Sequence, residues 1–108
     1  MLTEYLLRLL LTVLVEAAFA AALARPGERL RLVHDACVFN LVTHPAATIG
    51  QAVVGLPFLV VEMLVFGLEG VGYRTVTGLG WRRALLVSLV LNGVTTALAV
   101  SLFAGFSA

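Results

Sequence analysis

The chain has 108 residues, of which 61% are hydrophobic and 12% are charged, and its mean hydropathy is +1.07. A soluble domain carries about twice that share of charge, and a core of this size could not bury so much apolar surface. The composition therefore excludes an ordinary soluble domain, and the net charge of +1 gives no reason to expect a nucleic-acid partner.

Four segments in chain order have the length and hydropathy of membrane-spanning helices, which need about 20 residues each. Helix-breaking residues separate them, such as the Arg-Pro-Gly run at residues 25–27 and Pro57, a favoured first residue of a helix. We predict one transmembrane domain, residues 1–108, that is all-α and forms an integral membrane four-helix bundle. Its spans cover about residues 2–24, 30–50, 57–74 and 81–103.

The first segment has a second interpretation, because residues 22–24 (Ala-Leu-Ala) resemble a signal-peptidase site after an apolar run. Against cleavage, Glu4 offsets the charge of Arg8 near the start, and Glu16 interrupts the apolar run. We expect a retained span. A cleaved signal peptide would leave three spans.

The second segment is the least hydrophobic and contains Pro45. Proline removes one backbone hydrogen bond, so we predict a kinked second helix. The alternative is a re-entrant or broken segment that enters and leaves the membrane on one face, which requires protein or water to cover the exposed backbone.

All seven basic residues are arginines, and six of them flank two connections. These six lie close to the first connection (Arg25, Arg29, Arg31) and to the third (Arg74, Arg82, Arg83). Both clusters lie on one side of the membrane only if the second segment crosses it, and arginine-rich connections are typical of the cytoplasmic side. We therefore expect a multi-pass protein of the bacterial inner membrane with both termini outside, and with Tyr73 and Trp81 at the cytoplasmic interface.

Six polar residues fall within the predicted spans, where a charged group costs about 2.5–3.5 kcal/mol or more. The spacing of three, four or seven residues places them on one stripe per helix, and we expect these stripes to face the bundle interior. The six form the candidate cation or proton pathway: Glu16, Asn40, His44, Glu62, Glu69 and Asn92.

The charge balance of these residues indicates what they bind. We expect no arginine or lysine beside the three glutamates within the spans, so His44 is their internal counter-ion. The carboxylates must then be protonated, share a proton with His44, or bind a cation such as Na⁺ or a divalent metal ion. His44 and Glu62 are candidate metal ligands, since histidine and carboxylates bind zinc or iron when a third ligand is present.

Each of these residues also has a structural interpretation. Asn40 and Asn92 fit interhelical hydrogen bonds, and His44 could cap carbonyls that Pro45 leaves free. Glu69 could reach Arg74 or His34 near the interface. Cys37, the single cysteine, fits a small buried hydrophobe.

The run Asn-Leu-Val-Thr-His-Pro at residues 40–45 is followed by Glu62, Glu69, Tyr73-Arg74, Ser88 and Asn92. This pattern resembles a type of small bacterial polytopic membrane protein over about residues 38–96. The resemblance implies a membrane location and no particular activity.

Three functions are compatible with the sequence. The first is a cation transporter or channel subunit with Glu16, His44 and Glu62 on its pathway, assembled as a homo-oligomer, most simply a dimer. The second is an accessory subunit of a larger membrane complex. The third is an intramembrane metal-dependent enzyme with Glu16 as general base, which is disfavoured because none of the HExxH, GxSxG and CxxC signatures occurs.

Overall fold

The computed structural model describes residues 2–102 of the chain, and every regular element within that range is helical. The elements are α1 (Leu2–Leu23), α2 (Arg29–Ile49), α3 (Phe58–Thr75) and α4 (Trp81–Leu102), with a π-helical turn at Gly50–Val54 that continues α2. The predicted all-α fold is confirmed for the described residues. The last residue of the predicted fourth span, Phe103, lies outside them.

Three of the four predicted spans are long and apolar enough to cross a membrane: Leu2–Leu23, Arg29–Val54 and Trp81–Ala99. The third predicted span is shorter, with 18 helical residues, and it carries Glu62, Glu69 and Arg74. Its crossing of a membrane stays a prediction.

The connection between α2 and α3 is shorter than predicted. We expected a loop at residues 51–56, but the helical backbone continues to Val54 and ends at Gly55, which has a φ of +83°. No breaker occurs in residues 51–54, whereas Gly55 adopts the left-handed conformation without strain and Pro57 precedes α3. The helix also continues through Pro45, so the re-entrant alternative for this segment is wrong.

The four helices form a ring in which each packs on its neighbours in the chain and α4 returns to α1. Within the described residues, α1 does not pack on α3, nor α2 on α4. The two arginine-rich connections meet at one end of the bundle, where Arg31 donates a hydrogen bond to the carbonyl of Val76 and Arg83 donates one to the carbonyl of Leu23. We call this the arginine end.

The half of the bundle nearest the arginine end has an apolar core. Its largest member is Tyr73, which was predicted at the membrane interface but is 0% exposed and meets the Phe39 ring edge-on, with the ring centroids 4.9 Å apart. Seven other buried residues complete this apolar layer: Ala20, Leu32, Ala36, Leu79, Ala84, Val87 and Leu91. A group of polar side chains that includes Glu16, His44 and Glu62 lies in the other half.

Glu28 closes the first connection onto α4 at the arginine end. Its carboxylate accepts a hydrogen bond of 2.8 Å from the backbone N–H of Arg25 and forms an ion pair with Arg83. The hydrogen bond from Arg83, followed by that from Arg25, lowers the pKa of Glu28 below its ordinary value. This ion pair therefore stabilises the fold above that ordinary value, and the stabilisation is lost as the pH falls through the lowered pKa.

Glu28→Gln is thus expected to unfold at a lower temperature than the wild type at neutral pH. Its free energy of unfolding should be lower by at most about 1 kcal/mol, because the ion pair is partly exposed. The difference should disappear in acid. Thermal unfolding of detergent-solubilised protein, followed by circular dichroism from neutral to acidic pH, measures it. Glu4→Gln, an exposed change on α1, is the control, and an equal loss of stability in acid for wild type and Glu28→Gln would contradict the assignment.

Candidate functional site

A polar cavity of about 90 Å³ lies between the helices in the half of the bundle away from the arginine end. All four helices contribute to it, and nine of its twelve lining residues are polar. The cavity is large enough for water molecules or a small ion. Its polar residues are Thr12, Glu16, Asn40, Thr43, His44, Glu62, Asn92, Thr95 and Thr96, and Ala47, Val65 and Ala99 complete the lining.

Five of the six predicted pathway residues line this cavity, and the sixth, Glu69, is bonded to one of them. The helical repeat explains the grouping, since residues four apart share a face. Thus Asn40 and His44 point inward from α2, as Asn92 and Thr96 do from α4. Their side chains meet at the centre because the opposite faces of the helices are apolar.

Glu16 lies on the inner side of α1 and is only 1% exposed. The Asn40 amide and the Thr95 hydroxyl lie beside its carboxyl group, yet its Oε1 atom has no hydrogen-bond partner among the described residues. The Asn40 nitrogen instead donates to the carbonyl of Ala36 in its own helix, at 3.1 Å. Glu16 therefore keeps an acceptor facing a polar cavity, which is unusual for a buried group.

Glu69 of α3 lies on the side of the cavity that faces the arginine end, and it contacts side chains of α2 and α4. The Asn92 amide of α4 donates to its Oε1 at 2.9 Å, and the Thr43 hydroxyl of α2 lies 2.7 Å from its Oε2. The side chain is 2% exposed. The Asn92 bond confirms the interhelical role predicted for that residue.

The expectation that Glu69 pairs with Arg74 or His34 is wrong. The Arg74 guanidinium lies over the Trp81 ring, 5.6 Å from its centroid, and His34 contacts Asp35. Glu69 is directed into the bundle, whereas Arg74 and His34 lie on exposed positions at the arginine end.

The hydrogen-bond geometry around Thr43 favours a protonated Glu69. A hydroxyl group carries one hydrogen, but the Thr43 oxygen lies within bonding distance of two acceptors, the Phe39 carbonyl at 2.8 Å and Glu69 Oε2 at 2.7 Å. Both contacts are satisfied when Thr43 donates to Phe39 and a protonated Glu69 donates to Thr43. The Glu69 carboxyl group is then neutral, as its burial also favours.

Glu62 and His44 line the cavity and are half-buried. Glu62 accepts a hydrogen bond of 2.9 Å from Thr96. The His44 ring packs against Tyr5 with the centroids 5.4 Å apart, and its Nδ1 has no hydrogen-bond partner among the described residues. The Nδ1 atom of His44 therefore caps no backbone carbonyl in the part of the chain that the structure describes.

Arg8 corrects the expected charge balance. It lies within α1, and its guanidinium is close enough to His44 to act on it electrostatically. One arginine therefore does lie inside a predicted span, close to His44. Neither arginine nor lysine is among the twelve lining residues.

The described residues contain no group of three His, Cys, Asp or Glu side chains placed to hold a metal ion. A metal ion bound by His44 and Glu62 would need its other ligands from backbone carbonyls, hydroxyls or water. This pair of ligands stays a prediction.

Sequence reasoning missed a second polar cluster, at the arginine end. Asp35 is 7% exposed and accepts a hydrogen bond of 2.8 Å from Thr77. Its Oδ1 atom lies 3.1 Å from Nδ1 of His34. The Nε atom of Arg31 lies 3.8 Å from Oδ2, the oxygen that Thr77 also contacts. The signal was present, since an aspartate four residues after Arg31 shares its helix face, but Thr77 belongs to a turn whose approach to α2 follows from the fold alone.

None of the known family models, curated proteins or solved structures matches this chain.

Proposed function

We propose that the four helices cross the bacterial inner membrane and that the polar cavity between them binds a cation, a proton or a metal ion, and passes it across. The observation that carries this proposal is the cavity lining: two carboxyl groups, Glu16 and Glu62, among nine polar residues, with neither arginine nor lysine in it. Such a set of oxygen ligands in a largely buried site attracts positive charge.

The exposed surface of the described helices supports a membrane location. Large apolar side chains lie outward on all four, for example Leu14, Leu41, Met63 and Leu89, each more than half exposed. In water this surface would drive aggregation, whereas lipid tails solvate it. The described structure is 42 Å long, close to the full thickness of a bilayer with its headgroups.

The position of the arginines supports the orientation. Both arginine-rich connections lie at the same end of the bundle, which is the cytoplasmic end under the positive-inside rule. The cavity then lies in the outer half of the membrane, and both termini lie outside. A homo-oligomer or a larger membrane complex remains the predicted assembly.

The test is cation flux in proteoliposomes that contain the purified protein and an internal dye for protons, Na⁺ or Zn²⁺. Glu62→Gln removes one lining carboxylate with little change of shape, and we expect it to lower the flux by about tenfold or more. Glu4→Gln makes the same change at an exposed site on α1 and should conduct like the wild type.

Size-exclusion chromatography and circular dichroism show whether each variant is folded. Equal flux through wild type and a folded Glu62→Gln would contradict the proposed pathway. A folded wild type that moves none of the three cations would contradict the proposed function as a whole and favour the accessory-subunit alternative.

A further inference from the structure

We propose that the arginine end of the bundle is a binding surface for the headgroups of anionic phospholipids. The inference shares the membrane location with the proposed function, but it does not need the passage of a cation. It stands on three observations: the charge of this end, the contacts that join its two connections, and the apolar side chains that flank its arginines.

The arginine end carries an excess of positive charge. Among the described residues, its ion pairs with acidic side chains join Arg83 to Glu28 and Arg31 to Asp35. The other four arginines of this end form no ion pair within the described part of the chain, and all four are exposed: Arg25, Arg29, Arg74 and Arg82. Four guanidinium groups are therefore available to an anion from outside the protein.

The contacts of Glu28 join the two connections into one surface. A single oxygen of its carboxylate, Oε1, accepts the backbone N–H of Arg25 at 2.8 Å and also contacts the Arg83 guanidinium. The first connection therefore lies directly beside the start of α4, where Arg82 precedes Arg83. Arg25 and Arg82 are far apart in the chain, but they belong to neighbouring parts of this surface.

The α3–α4 turn is fixed to the same surface. Thr77 of this turn donates a hydrogen bond of 2.8 Å to Asp35 of α2. The Arg74 guanidinium lies over the Trp81 ring, 5.6 Å from the ring centroid. An arginine that lies over an aromatic ring still presents N–H donors at the edge of its planar group, so Arg74 can hold the ring and an anion together.

The chemistry of these side chains selects phosphate. Guanidinium groups bind phosphate oxygens through paired N–H···O bonds. Clusters of about four to eight basic residues beside a membrane span bind anionic lipids, and each residue near the membrane surface raises the affinity about fivefold. The six arginines of this end form such a cluster.

The apolar neighbours of the arginines favour a lipid over a soluble phosphate compound. Leu30 lies between Arg29 and Arg31 in the chain and is 86% exposed, and Trp81, next to Arg82, is 53% exposed. A soluble anion would leave these side chains in water. A phospholipid contacts them with its glycerol and upper acyl chains while its phosphate meets the arginines, and tryptophan is enriched at this depth of a bilayer.

Trp81 is the single tryptophan of the chain, so its fluorescence reports which lipid lies beside this surface. The purified protein is reconstituted into mixed vesicles of phosphatidylglycerol and phosphatidylcholine, in which one of the two lipids carries bromine atoms that quench tryptophan. At equal mole fractions, we expect stronger quenching by brominated phosphatidylglycerol than by brominated phosphatidylcholine. Added NaCl should reduce the difference.

Substitutions test whether the arginines cause this preference. Arg82→Gln and Arg25→Gln should each lower the preference for phosphatidylglycerol about fivefold, whereas Arg82→Lys keeps the charge and should retain most of it. Glu4→Gln changes the net charge at an exposed site near the other end of α1 and should behave like the wild type. Circular dichroism shows whether each variant is folded.

Three results would overturn the inference. The first is equal quenching of the wild type by both brominated lipids, and the second is a preference that both folded glutamine variants keep. The third is a preference that sodium phosphate abolishes although NaCl of the same ionic strength does not, since the surface would then bind a soluble phosphate compound.

The failure of this inference is distinct from the failure of the proposed function. A wild type that prefers phosphatidylglycerol but moves no cation supports the lipid surface and overturns only the proposed function. Cation flux that depends on Glu62, in a protein without lipid preference, does the reverse. A Trp81 that neither brominated lipid quenches would overturn both, because both require a protein that lies in the bilayer.

Discussion

Glu16→Met is expected to abolish cation flux and to raise the stability of the folded protein. Glu16 is almost completely buried, and its Oε1 has no hydrogen-bond partner among the described residues. Such an unpaired polar atom costs about 1–3 kcal/mol. Methionine is flexible and of similar length, so it can fill the site without that cost.

The gain in stability is expected to be about 1 kcal/mol, because contacts of Glu16 with Asn40 and Thr95 are also lost. Thermal unfolding in detergent measures it, alongside flux in proteoliposomes. Glu16→Gln is the matched variant, because glutamine keeps a polar group of the same size at this position. It should unfold at a temperature close to that of the wild type. It should also fail to conduct, since a neutral amide neither gives up a proton nor carries the negative charge that binds a cation.

A stabilised but inactive Glu16→Met would mean that the carboxyl group is retained for function at a cost in stability, as is common at active sites. The opposite result is a free energy of unfolding for Glu16→Met that is lower than that of the wild type by about 2 kcal/mol or more. That result would mean that the carboxyl group supports the fold, and a loss of flux in this variant would then not place Glu16 on the pathway.

The helices themselves could be predicted from the sequence because apolar runs and breakers determine them. The Arg-Pro-Gly run at residues 25–27 and Pro57 set the ends of three helices to within about two residues. The prediction failed at residues 51–54, where neither a breaker nor a charge marks the continuation of α2. Helical hydrogen bonding continues by default until Gly55 permits the chain to turn.

The inward faces could also be predicted, because a spacing of three or four residues places polar side chains on one stripe and lipid excludes them from the outside. What spacing does not determine is the rotation of one helix against the next. Glu69 was therefore assigned to cations at similar depth, whereas its partners are Thr43 and Asn92 on neighbouring helices.

Two residues show why depth alone misleads. Tyr73 was placed at the interface because it lies near the end of its span, yet the packing of Phe39 and α4 encloses it completely. Arg8 was treated as part of the terminal region, yet it lies within α1 and acts on His44. In both cases a long side chain reaches a position that its Cα does not indicate.

The second large effect is expected at Glu69, where Leu and Gln should behave very differently. Glu69→Leu loses the hydrogen bonds to Thr43 and Asn92 and should lower the free energy of unfolding by about 1–2 kcal/mol. The loss stays within this range because Asn92 still donates to the Ser88 carbonyl and Thr43 still donates to the Phe39 carbonyl.

Glu69→Gln should unfold within about 0.5 kcal/mol of the wild type, because glutamine has the hydrogen-bonding pattern of a protonated glutamate. Its nitrogen can donate to Thr43, and its oxygen can accept from Asn92. Thermal unfolding of wild type and both variants in the same detergent measures the difference. A glutamine variant as unstable as the leucine variant would contradict this arrangement.

Infrared spectra test the protonation state directly. If Glu69 is neutral, the wild type at neutral pH has a carboxylic acid band that Glu69→Gln lacks, whereas Glu4→Gln, a change at an exposed site on α1, keeps that band. A lost carboxylate band in Glu69→Gln would mean that Thr43 donates to an ionised Glu69 and leaves the Phe39 carbonyl without that bond.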